Sequence, residues 1–162
     1  MFKSTGRLIY DPYSKLKAVD NWLIVKTNYE ISRYYQYWLK KNYDLSFDKT
    51  EWNTHISVVR GTPPFNRAAW RKYQNQRVGF SYSHEVYRHD WFFCLEVKSP
   101  DLEEIRAELG LPRTPYAGFH LTVGRISKPF LLRKKELWNM FVAKLNIKNA
   151  KLTETEKLYP LI

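Results

Sequence analysis

Hydrophobic and polar residues alternate along two short stretches of the chain, and the two stretches read alike. The first is Thr54-His55-Ile56-Ser57-Val58-Val59-Arg60 and the second is Phe119-His120-Leu121-Thr122-Val123-Gly124-Arg125. Each runs His, aliphatic, hydroxyl, Val, and then Arg two residues later. On an extended strand, residues i and i+2 share a face and lie about 7 Å apart. His55 with Ser57, and His120 with Thr122, would each present an imidazole and a hydroxyl to one side. Ile56, Val58, Leu121 and Val123 would turn to the other side, into a core.

The rest of the pattern predicts a frame around these strands. Positions 2–20 are polar and Tyr-rich, with a turn signal at Asp11-Pro12, and read as an N-terminal arm with at most a short strand at 8–10. Trp22-Leu23-Ile24-Val25 reads as a buried strand. Thr27 and Glu30 form a capping-box pattern, and Ile31, Tyr34, Tyr35, Trp38 and Leu39 recur at helical spacing through about Lys41. Gly61-Thr62-Pro63-Pro64 stops the first motif strand. A short helix is expected at 66–74 and strands at 78–83 and 91–97, joined by a polar hairpin loop at 84–90. Ser99-Pro100 is an N-cap followed by Pro at the first helical position. Leu102, Ile105 and Leu109 give that helix its apolar face, and Gly110 and Pro112 end it. A further helix is expected at 134–145, followed by a tail.

The order contains a repeat: strand, helix, loop and motif strand occur twice. It predicts a single α+β domain over 1–162 with the arm at 1–20 and the tail at 150–162. Two lobes of β-sheet would be related by a pseudo-twofold axis around a central cleft, with helices packed outside.

Composition changes this picture in few places. The chain has 162 residues, enough for one well-packed core, and 12 Tyr, 9 Phe and 6 Trp argue against disorder. Lys and Arg total 27 against 16 acidic residues, a formal charge of +11. Such a field attracts phosphate-bearing partners but does not choose among them. The single cysteine, Cys94, has no thiol partner and reads as buried and inert. No signal-peptide pattern opens the chain and no run is long enough for a membrane span. The expectation is a cytoplasmic protein with no membrane and no stable protein partner.

Two histidines one phosphate apart form an acid–base pair that needs no metal or other cofactor. One neutral imidazole takes a proton from an attacking hydroxyl and the protonated partner gives one to the leaving oxygen. The Ser57 and Thr122 hydroxyls donate to non-bridging oxygens, where charge builds. No His-x-His, His-Glu-x-x-His or paired Asp motif suggests metal ligands. The alternative is two buried strands whose histidines satisfy backbone groups. Arg60 and Arg125 lie five residues after the histidines, so on unbroken strands they face away and take surface or lobe-edge roles; they would turn back only if the strand ended first, as Gly124 would permit. His84 and His89 read as solvated. The aromatics of 30–41 read as core, and base-stacking candidates are Tyr10, Tyr13, Tyr82 or Tyr87, and Tyr159.

Paired His-x-[Ser/Thr] strands in a small α+β chain resemble the 2H phosphoesterase superfamily. THISVVRGTPP, the Trp70–Tyr73 pair, IRAELGLP and FHLTVGR are most similar to its phage branch, the anti-CBASS phosphodiesterases, over positions 8–126. The resemblance implies a catalytic tetrad of His55, Ser57, His120 and Thr122, with Ser57 standing where Thr is more usual. It also implies an N-terminal Tyr, here Tyr10 or Tyr13, with Glu154 or Glu156 and Tyr159 over the bound nucleotide. The implied activity is metal-independent hydrolysis of 3′–5′ bonds in cyclic di- or trinucleotide immune signals such as cyclic GMP-AMP, in the host cytoplasm. Attack by the 2′-hydroxyl would pass through a 2′,3′-cyclic phosphate. Two alternatives stay open: a 2H phosphoesterase acting on RNA ends or 2′,3′-cyclic phosphates, and a nucleotide-binding sponge.

Overall fold

The computed structural model describes residues 1–12, 20–48 and 54–126. The expected helix at 134–145 and the tail lie outside them, as do Tyr13, Glu154, Glu156 and Tyr159. The fold is α+β. In chain order it comprises β1 (Phe2–Tyr10), β2 (Leu23–Lys26), α1 (Tyr29–Tyr43), β3 (His55–Val59), β4 (Arg77–His89), β5 (Phe92–Lys98), α2 (Pro100–Glu108) and β6 (Phe119–Arg125). The six strands pair antiparallel and close into a barrel in the order β1-β2-β3-β6-β5-β4. Each half of the chain thus supplies three consecutive strands, as strand, strand, helix, strand. The halves meet at two seams, β3 with β6 and β1 with β4.

Three expectations at the element level are corrected. The arm is a nine-residue strand, not a short one. Its pairing with β4 runs from Phe2 opposite Tyr82 to Arg7 opposite Arg77. Gly6 permits the close approach to β2, since a Cβ there would meet the Lys26 carbonyl oxygen at 2.7 Å. The hairpin loop expected at 84–90 is strand: β4 continues to His89 and turns at Asp90, whose positive φ of 52° suits a tight reversal. Its register shifts between Tyr82 and Val86, which breaks the alternation that would have revealed a strand. The helix expected at 66–74 is only a 3₁₀ turn at Arg67–Ala69.

The helices are capped as good helices should be. Ser99 accepts from the Leu102 N–H, with Pro100 following it. Asn28, not Thr27, caps α1 by accepting from the Glu30 N–H at 2.9 Å. The core lies on one face of the barrel wall. Leu8, Leu23, Val25, Ile56, Leu95, Leu121 and Val123 form one buried cluster with Tyr35 and Leu39 of α1 and Leu102, Ile105 and Leu109 that follow in α2 and at its C-terminal end. Tyr34 departs from the helical core expected at 30–41, being 62% exposed.

Candidate functional site

Ile56 of β3 pairs antiparallel with Leu121 of β6, and both point into the core. Continuing that register one residue either way sets His55 opposite Thr122 and Ser57 opposite His120. All four side chains are half-buried and lie on the wall face away from the core. Opposed side chains in such a ladder have Cβ atoms about 5 Å apart, and the diagonal pair, His55 and His120, about 7 Å. The four residues therefore form a compact square of two imidazoles and two hydroxyls.

Both motif strands carry a β-bulge at the same point. Leu23 pairs with Val59 but Ile24 pairs with Ser57, so Val58 is the extra residue. Phe93 pairs with Gly124 but Cys94 pairs with Thr122, so Val123 is the extra residue. A bulge leaves one residue out of the ladder and its buried backbone groups in need of partners. Each bulged carbonyl finds one on a helix of the other half. Arg106 of α2 donates from Nη1 to the Val58 oxygen at 2.6 Å, and Gln36 of α1 donates from Nε2 to the Val123 oxygen at 2.6 Å. Arg106 also donates from Nε to the Pro112 oxygen at 2.7 Å, and its burial disfavours the charged form.

The bulges also reverse which way the next residues face. Val59 and Gly124 take core positions, and the arginines that follow return to the face of the histidines. Arg60 is exposed, as expected, but it does not face away: its guanidinium lies over the Trp22 indole, 5.4 Å from the ring centroid. Arg125 is exposed as expected, 3.7 Å from Asp48 and 6.0 Å from the Phe92 ring centroid.

Trp22 is central to the site and was read from the sequence only as part of a buried strand. It is 3% exposed. Its indole meets the His55 ring edge-on at 5.7 Å, and its Nε1–H points to the Ser57 Oγ at 3.5 Å. Indole nitrogen only donates, so Ser57 is oriented as an acceptor there and keeps its own hydrogen for a ligand. The backbone just before His55 is fixed as well: the Thr54 carbonyl accepts from the Thr27 N–H at 3.1 Å and from its Oγ1 at 3.0 Å, and the Thr54 and Ser32 hydroxyls are bonded to each other.

His120 is held differently. Its Nδ1 lies 3.3 Å from the Gly118 carbonyl oxygen. A carbonyl can only accept, so Nδ1 carries hydrogen and the lone pair of the neutral ring is on Nε2. Burial lowers its pKa first, Gly118 opposes this, and the nearby His89 and Arg60 charges lower it further. His84 and His89 are exposed, and both lie on β4.

The stacking candidates separate. Tyr10 is 5% exposed, sits on the core face opposite Leu23, and packs edge-on against Trp70; it is not available to a base. Burial pushes its hydroxyl up to about 12. Tyr82 also belongs to the core side, against Phe2 and Phe80. Tyr87 is half-buried on the site face, across from Cys94, which in turn lies opposite Thr122. Cys94 is buried, its Sγ 3.8 Å from the Thr122 hydroxyl, and burial pushes its thiol up to about 12, so it is inert as a nucleophile.

Among the described residues, no group of three His, Cys, Asp or Glu is placed to hold a metal ion, and no helix is long and apolar enough to cross a membrane. Comparison with known proteins finds no match to a family model, a curated protein or a solved structure.

Proposed function

We propose that this protein is a 2H-type phosphodiesterase. The observation that carries the reading is the β3–β6 pairing, which sets both His–hydroxyl pairs on one face. Nothing in a merely structural strand pair calls for two half-buried imidazoles and two hydroxyls in one square. The two halves of the barrel, each with its own motif strand and helix, are read as the two lobes of that fold.

In this mechanism the scissile phosphate sits between the two imidazoles. His120, neutral with its lone pair on Nε2, takes the proton of the attacking hydroxyl. The new phosphorus–oxygen bond forms as the bond to the leaving oxygen breaks. His55, protonated, delivers the proton that the leaving oxygen needs. Ser57 and Thr122 donate to the non-bridging oxygens, where negative charge builds. With an internal 2′-hydroxyl as nucleophile the first product is a 2′,3′-cyclic phosphate, and water repeats the cycle with the roles of the histidines exchanged.

The substrate class rests on the resemblance of the motif text to anti-CBASS enzymes: 3′–5′ bonds of cyclic di- or trinucleotides, opened to linear products without a metal. The +11 charge suits such an anionic substrate. The test is incubation with a panel of cyclic oligonucleotides, nucleoside 2′,3′-cyclic phosphates and RNA oligomers in EDTA, with products identified by mass. Linearised cyclic dinucleotide is the expected result. Cleavage of RNA or monocyclic phosphates alone would move the assignment to an RNA-end enzyme, and intact ligand recovered from a complex would make it a sponge. His55→Ala and His120→Ala should each lose about two to four decades of rate.

A further inference from the structure

We propose that Arg60, carried on the Trp22 indole, forms a subsite for a second phosphate, one linkage away from the phosphate between His55 and His120. The inference rests on the phosphodiesterase reading and deepens it by naming a ligand with two phosphodiesters.

Three observations lead there. The bulge at Val58 puts Arg60 on the site face, where continuing the shifted register sets it opposite Trp22. The guanidinium then lies 5.4 Å from the centroid of the same ring that meets His55 and Ser57, so one rigid indole ties it to the first motif. Its charge also reaches the second motif, since Arg60 is among the groups that disfavour a protonated His120. A cation stacked on the indole that meets His55 and Ser57 lies beside the site, not on a distant surface.

The chemistry of the group selects the ligand. A guanidinium stacked on an aromatic face keeps its N–H edge open, and that planar fork matches phosphate oxygens two at a time. Arg33, Arg71, Arg113 and Arg125 each lie within ion-pair distance of a carboxylate. Arg60 has no such partner among the described residues.

Its position selects which phosphate. The central one already has Ser57 and Thr122 as donors. Arg60 stands past Ser57 at the His120 end of the ribbon, one bulged step along. The matching place at the His55 end is held by Arg125, which is engaged by Asp48 and Phe92. The site is therefore extended on one side only, and a ligand with a second phosphate fits it in one sense. A cyclic dinucleotide has that second phosphate; a nucleoside 2′,3′-cyclic phosphate does not.

The experiment compares full-length wild type, Arg60→Ala and Arg60→Lys in equilibrium binding to two hydrolysis-resistant probes. One is a phosphorothioate-linked cyclic dinucleotide and the other a nucleoside 2′,3′-cyclic phosphorothioate. Arg60 is exposed, so the variants should fold, and circular dichroism checks this. Arg60→Ala should weaken the two-phosphate probe about tenfold or more and the one-phosphate probe by less than about twofold. Arg60→Lys should recover part of the loss, since it restores charge but not the fork. Equal loss on both probes would place Arg60 on the central phosphate and overturn the proposal, as would no loss on either or no binding by wild type. Turnover of the natural diester is scored separately, so absence of cleavage with an intact Arg60-dependent binding ratio would reject the enzyme reading and leave the subsite standing.

Discussion

His120 donates from Nδ1 to the Gly118 carbonyl, and burial together with the nearby Arg60 charge disfavours its charged form. For a general base the neutral ring is the active one, so activity rises as pH climbs through the folded pKa. That value is lowered from 6.5. The acidic limb of kcat/KM against pH should therefore have its midpoint below 6.5, and Arg60→Ala should move it upward by removing a repelling charge. A limb at or above the ordinary histidine value in wild type would refute this assignment of the base. Gly124 shows a second single-residue requirement: a Cβ there would lie 2.3 Å from the Phe47 ring, which is itself braced edge-on against Phe93 at 5.5 Å. Gly124→Ala should cost about 1–3 kcal/mol, read as a lower denaturant midpoint with an unchanged slope. At this scale the sequence was legible where chemistry repeats. The His–hydroxyl pairs announced themselves by their matched spacing. So did the trailing arginines, but an unbroken alternation assigns Arg60 to the wrong face, because a one-residue bulge leaves no mark in hydropathy.

The two motif strands depend on helices that do not adjoin them in sequence. Val58 and Val123, the residues bulged out of register, hand their carbonyls to Arg106 and Gln36. Arg106→Met keeps length and bulk but strips the donor from two carbonyls, those of Val58 and Pro112. It should cost about 2–4 kcal/mol and lower kcat/KM as Arg60 loses its placement. Gln36→Leu removes one donor and should cost about 1–3 kcal/mol, measured by the same unfolding curves. A stability change within a few tenths of a kcal/mol for Arg106→Met would mean that the bulge holds without it. Neither residue stood out in the sequence, since nothing local tells a donor that it faces a buried carbonyl. Caps were easier: Ser99 with Pro100 is visible because both members of the signal are adjacent, whereas Asn28 was passed over for the neighbouring Thr27. β1 was missed because its partner on β4 lies 70 to 80 residues away, and that long-range pairing, not local alternation, makes it a strand; the end of β4 pairs with neighbouring β5 and was missed because the shift between Tyr82 and Val86 breaks its alternation.

Over the whole molecule, the chain carries a formal charge of +11, which suits the anionic substrate proposed above. Association should weaken steeply with ionic strength, so kcat/KM for a cyclic dinucleotide should fall several-fold between low salt and about 0.5 M while kcat changes little. An equal fall in kcat would point instead to damage at the reacting centre. The strand-strand-helix-strand repeat was partly legible as strand, helix and motif strand repeating, and the α+β class followed from it. Closure of the barrel was not, because it depends on which edges meet across two seams. The crossed bonds from Arg106 and Gln36 carry one consequence for inheritance and engineering. A change in the first half, at Gln36, should register in the second motif, and a change in the second half, at Arg106, should register in the first. Neither half is an independent cassette: grafting one motif strand into another scaffold would leave behind the donor that gives it its kink.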